Sequence, residues 1–167
     1  MIKIDASKLS YTKETILKEV VNFDPEEFKC YPPLLEVKKA DVNIKIRRYE
    51  DFVYVNMQIK ASVSLQCSYT LKAFDTVLKS DEELHFASYV EDGDDDLLLY
   101  KGNSIELDKY IFDSISASVP PSPKAPGAKL PESGKGYRVL SSDDFIKEKE
   151  EQSDPRFAAL DDLEFDD

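Results

Sequence analysis

The sequence is poor in most of the residue types that build active sites. It has one histidine, two cysteines and five glycines in 167 residues. A single histidine, His85, leaves a catalytic triad or a histidine metal site without identifiable partners. Cys30 and Cys67, with 36 residues between them, match neither a disulfide framework nor a zinc ribbon. The glycines include no G-x-G-x-x-G and no G-K-[ST], so no phosphate-cradling loop is present. Long apolar runs are missing too. The N-terminal Met-Ile-Lys-Ile-Asp has no signal-peptide core. The run Leu97–Tyr100 is far short of the roughly 20 residues of a membrane span. A reducing cytoplasm is therefore expected, with no membrane association. No enzyme activity, cofactor, metal or small-molecule substrate is expected either.

Basic residues are also in deficit, 22 Lys+Arg against 34 Asp+Glu, for a net charge of −12. That argues against a bulk polyanion binder, because nucleic acid rewards a basic surface. The deficit is local, however. Residues 1–80 hold 13 bases and 11 acids, whereas residues 81–167 hold 9 and 23. Residues 81–96 carry eight acids and no base, and residues 143–167 carry eleven acids and three bases. Acid runs of this kind are usually solvated. Asp92-Gly93-Asp94-Asp95-Asp96 lacks the twelve-residue pattern of a calcium loop.

The clearest periodic segment is Val53–Cys67, where apolar and polar residues alternate strictly. A period of two puts the two sets on opposite faces of one long strand. Val42, Ile44 and Ile46 alternate in the same way just before it, so an antiparallel hairpin is the economical reading. Phe74, Thr76 and Leu78 start a third strand reaching Leu84–Phe86. Thr15–Phe23 is ambiguous between helix and strand. Asp24-Pro25-Glu26-Glu27-Phe28 reads as a helical turn capped by Asp24. Ile105–Val119 has helical spacing, with Asp108 able to cap and Pro120 to stop it. Cys67 closes the apolar face of the long strand and reads as a small buried hydrophobe.

The fold expected is α+β: a strongly twisted antiparallel sheet, with closure into a barrel left open, one packed helix and an acidic, partly helical tail. The organisation expected is a β-rich core over residues 1–119, a Pro/Gly-rich basic linker or arm over 120–142, and an acidic tail over 143–167. The arm holds five of the nine prolines. In the tail, Asp154-Pro155-Arg156 opens a short helix with Phe157, Leu160 and Leu163 on one side, a candidate docking element for a partner.

The polar face of the central hairpin, Asn43, Lys45, Arg47, Asn56, Gln58, Lys60, Ser62, Ser64 and Gln66, contains no acid. Its hydroxyls, amides and cations suit phosphates and 2′-hydroxyls. With Arg48, and with Lys124, Lys129, Lys135 and Arg138 of the arm, these cations are the candidate RNA-binding residues. The arm could instead neutralise the acidic blocks within the chain.

Several strings occur together in one order: Met1–Leu9, the long strand ending in Cys67, Gly136-Tyr137-Arg138-Val139-Leu140, and Asp154-Pro155-Arg156-Phe157-Ala158-Ala159-Leu160. Together they resemble the YceD family of large ribosomal RNA subunit accumulation proteins. Many members of that family carry a Cys-x-x-Cys at the strand end and a second cysteine pair later. Here the first site reads Cys67-Ser68-Tyr69-Thr70, and residues 120–126 contain no cysteine, so the chain resembles a metal-free branch. The resemblance implies a non-enzymatic ribosome biogenesis factor supporting 23S rRNA accumulation or processing and large-subunit assembly. The partners it implies are ribosomal RNA or the pre-50S particle. An alternative partner is a basic ribosomal protein, held by the acidic blocks of an adaptor or chaperone.

Overall fold

A computed structural model describes residues 2–50, 52–89 and 97–151, without the side chains of residues 150 and 151. The tail candidates Asp154, Pro155, Arg156, Phe157, Leu160 and Leu163 lie outside the described residues. The chain divides into two compact units, Met1–Pro126 and Gly127–Asp167.

The first unit is built on three long strands: β3 (Leu34–Tyr49), β4 (Phe52–Gln66) and β5 (Ala73–Ala87). With β2 (Thr15–Val21) and the two-residue β6 (Leu98–Leu99) they form one sheet in the order β2-β3-β4-β5-β6. Every pairing is antiparallel except β5–β6, which is parallel, so the sheet is mixed. Strands β2 and β6 are its edges, and it does not close into a barrel. The ambiguous Thr15–Phe23 segment resolves as an edge strand. The hairpin is longer than its sequence pattern, since β3 begins at Leu34. Register shifts between Leu34 and Glu36 and between Val37 and Lys39 interrupt its alternation there. Tyr49 pairs with Phe52, and Glu50 adopts φ +44°, the left-handed conformation favoured in two-residue hairpin turns.

Alternation sorts the sheet into a covered face and an open face. Val42, Ile44, Ile46, Val53, Val55, Met57, Ile59, Ala61, Val63 and Leu65 are buried in the core on the covered face. The element covering them is α1 (Asp108–Ala117), which packs on β4 and β5 through Ile111 and Ile115. Ser114, buried among apolar neighbours, donates to Ser80 Oγ at 3.0 Å, so its hydroxyl is satisfied. Helix α1 starts later than Ile105, because Ile105 belongs to β7 (Ser104–Glu106), which pairs antiparallel with β1 (Lys3–Asp5). Asp108 does not cap the helix. Leu107 holds the cap position with no side-chain bond, and Asp108 Oδ1 accepts the Ile2 N–H at 2.7 Å. Asp24 accepts the Glu26 N–H at 2.9 Å in a single hydrogen-bonded turn.

In the second unit, α2 (Ser142–Glu151) follows Ser141, whose hydroxyl accepts the Asp144 N–H at 3.0 Å. Phe145 and Ile146 on this helix are exposed. Arg138 donates to both carboxylate oxygens of Glu148, at 2.9 and 2.8 Å.

Candidate nucleic-acid interface

Strand register decides which side chains share the open face of the sheet. Paired residues of neighbouring antiparallel strands point the same way. Lys45 lies opposite Asn56, Arg47 opposite Tyr54, and Asp41 opposite Lys60. Lys18 of β2 lies opposite Asn43. The candidates Lys45, Arg47 and Lys60 therefore do share one face. Between Arg47 and Asp41, six residues apart, they span about 20 Å of strand.

Two features of this face depart from the hairpin read alone. First, its neighbours bring acids. Asp81 lies opposite Gln58, Glu83 opposite Asn56, and Asp75 opposite Ser64. Glu14 accepts from Arg47 Nε at 2.9 Å, and this carboxylate raises the Arg47 pKa. Lys38 reaches Asp75 at 2.6 Å. The face is thus mixed, with Lys18, Lys45, Arg47 and Lys60 against Asp41 on β2 to β4, and Asp75, Asp81 and Glu83 against Lys79 on β5.

Second, three rings line up across it. Tyr54 on β4 meets Tyr49 on β3 edge-on at a centroid distance of 5.4 Å, and His85 on β5 at 4.6 Å. His85 Nε2 sits 3.4 Å from Glu83 Oε1. The two tyrosines line an open pocket of about 480 Å³ together with Glu14, Lys45, Arg47, Asn56 and Glu83. Sequence reasoning missed the two tyrosines and found no partners for His85. Their meeting depends on β3–β4–β5 register. The period-two parity of Tyr49 and Tyr54 with Lys45, Arg47 and Asn56 was the available signal.

Arg48 belongs elsewhere. It is in phase with Ile44 and Ile46, so it turns to the covered side of the sheet. There Arg48 Nη1 donates to the Ala6 carbonyl, and its guanidinium lies 4.5 Å from the centre of the Tyr11 ring. Its role is to hold the segment after β1. Lys124 sits at the other end of β4, with Nζ 4.9 Å from the Tyr69 ring centre. Lys129, Lys135 and Arg138 belong to the second unit, where Arg138 is already paired with Glu148.

Near Lys124, the turn after β4 is tied to residues 123–125. Ser68 donates through N and Oγ to the Pro123 carbonyl, at 2.8 and 3.0 Å. The Ala125 N–H points at Cys67 Sγ at 3.4 Å. That bond, followed by the Thr70 hydroxyl and the Thr70 and Tyr69 N–H groups, lowers the thiol pKa to about 7 against the opposing effect of burial. Cys67 is buried, as its place on the apolar face implies, but its sulfur is also a hydrogen-bond acceptor. Cys30, by contrast, has its pKa raised by burial. Among the described residues, no group of three His, Cys, Asp or Glu side chains is placed to hold a metal ion. No helix among them is long and apolar enough to cross a membrane.

Comparison with known proteins adds the biological setting. The family model described as "Large ribosomal RNA subunit accumulation protein YceD" matches residues 55–164, and the chain belongs to the YceD family. Its role thus lies in the accumulation of large-subunit ribosomal RNA. Searches of curated proteins and of solved structures gave no match. Lys45, Arg47, Tyr49 and Tyr54 precede the matched span, so the description of the open face rests on this chain's own geometry.

Proposed function

We propose that this chain is a non-enzymatic factor that contacts ribosomal RNA of the assembling large subunit through the open face of its sheet, in the cytoplasm. The observation carrying this reading is the grouping of Lys45, Arg47 and Lys60 with the Tyr49–Tyr54–His85 row on one solvent-facing surface. Cations there meet phosphates, and amides and rings offer contacts to sugars and bases. The net charge of −12 agrees with a restricted contact, since the rest of the chain repels a polyanion.

The test is binding of the full chain to transcribed segments of 23S precursor RNA over a range of salt concentrations. Affinity should fall as salt rises, and the Lys45→Glu, Arg47→Glu, Lys60→Glu variant should lose most of it. Binding unchanged in that variant would remove the open face from the interface. Absence of RNA binding, together with capture of a basic ribosomal protein that requires residues 143–167, would favour the adaptor reading instead.

A further inference from the structure

Resting on that reading, we propose that the open face takes unpaired RNA, with nucleobases stacking against the Tyr49–Tyr54–His85 row. Phosphates would lie toward β2 and β3. Three observations converge on single strands. The rings form a row across three strands rather than a lone surface aromatic, with adjacent centroids 5.4 and 4.6 Å apart. Tyr49 and Tyr54 line an open pocket of about 480 Å³ on a solvent-facing sheet, room that a splayed base can use and a base inside a duplex cannot. The charge across the face is also graded. On β2 to β4, Lys18, Lys45, Arg47 and Lys60 outweigh Asp41 and the Glu14 carboxylate that pairs with Arg47, whereas on β5 Asp75, Asp81 and Glu83 outweigh Lys79.

A duplex presents phosphates on both of its borders and would set one of them against Asp81 and Glu83. A single strand can place its one phosphate line on the basic side and turn its bases to the rings. The carboxylate of Glu83 then faces base edges, where exocyclic amines donate to carboxylates. The surface thus combines a stacking platform with a one-sided cationic border, the two elements of single-strand recognition.

The test compares a single-stranded RNA of mixed sequence with a blunt hairpin of equal length, using the full chain and fluorescence anisotropy. The single strand should bind at least tenfold tighter. Tyr54→Leu keeps apolar bulk but removes the π face, and should lower single-strand affinity about tenfold while leaving the salt slope in place. Tyr49→Ala, at a ring that is half exposed beside the hairpin turn, should weaken binding in the same sense without opening the core. Tyr54→Phe should bind as the unmodified chain does. Equal or tighter binding of the hairpin, or full affinity in both Tyr54→Leu and Tyr49→Ala, would overturn stacking while leaving RNA contact by the face intact. Loss of all RNA binding in the unmodified chain would overturn the underlying reading as well.

Discussion

Arg47 and Arg48 are adjacent in sequence and point to opposite faces, so their substitutions should separate binding from stability. Arg48→Met keeps the length of the side chain while removing its charge. It would lose the hydrogen bond from the guanidinium to the Ala6 carbonyl and the stacking over Tyr11. A hydrogen bond to a charged group contributes about 1.5–3 kcal/mol, and a partly exposed cation–π contact about 0.5–1 kcal/mol. Against this stands Arg48 Nε, which is buried with no hydrogen-bond partner. Removing it relieves a penalty of about 1–3 kcal/mol. The Ala6 carbonyl also keeps its second donor, the Leu9 N–H at 3.4 Å. The net loss should be about 1–2 kcal/mol.

For a domain of this size, a destabilisation of that order lowers the melting temperature by about 4–8 °C. Arg47→Met should behave in the opposite way. Its ion pair with Glu14 is exposed, and such pairs contribute about 0–1 kcal/mol, so melting should barely move while RNA affinity falls. Thermal unfolding followed by circular dichroism, with RNA binding measured on the same preparations, reads both quantities. If Arg48→Met melts normally but binds RNA as weakly as Arg47→Met, Arg48 is an RNA contact and its placement on the covered side is wrong.

Other consequences can be checked independently. Glu14→Gln releases Arg47 from its carboxylate partner and should tighten RNA binding a few-fold with a steeper salt dependence; an unchanged salt slope would place Arg47 outside the interface. Ile111→Ala opens a cavity where α1 meets the sheet and should cost about 2–5 kcal/mol in urea unfolding, whereas a loss below about 1 kcal/mol would show that the helix is not a packed cover. The Cys67 thiol has a folded-state pKa of about 7, depressed from its ordinary value of 9.0. A depressed pKa stabilises the folded chain at alkaline pH, and that contribution disappears as pH falls through about 7. Relative to Cys67→Ala, the unmodified chain should gain stability as pH rises from about 7 to 9, and parallel pH profiles of the two would refute the acidified thiol.

How much of this could be read from sequence depended on element length and on register. The alternation from Val53 to Cys67 is long enough to define a strand and its buried face, and the structure places those apolar residues in the core. Strand β2 was ambiguous because it is an edge. Ile16 and Val20 are exposed apolar residues on its open side, which blurs the two-residue period that an interior strand keeps. Strands β1, β6 and β7 have two or three residues each, too few to carry any period. Asp108 had the chemistry of a cap, but its carboxylate is engaged by the Ile2 N–H, a contact across 106 residues. Arg48 could have been assigned correctly, since the parity that buries Ile44 and Ile46 also turns Arg48 away from Lys45 and Arg47.

The same register argument explains how an acidic chain keeps the cationic border on which the proposed RNA contact rests. Charge along the sequence separates a near-neutral first half from an acidic second half, but the sheet remixes it. Strand β5 brings Asp81 and Glu83 from the start of the acidic block alongside Asn56 and Gln58. What the fold preserves is a one-sided border, with Lys18, Lys45, Arg47 and Lys60 on strands that precede the acidic block in the chain. At physiological ionic strength, charges separated by more than about 8 Å are largely screened. Lys18, Lys45 and Arg47, two or more strands and so about 10 Å from β5, are therefore shielded from Asp81 and Glu83, whereas Lys60 on the adjacent β4 is not. The two carboxylates do act on any phosphate placed over β5. On the proposed reading, such an arrangement would select by the path of the backbone, admitting a ligand whose phosphates keep to one edge and opposing one whose phosphates straddle the face.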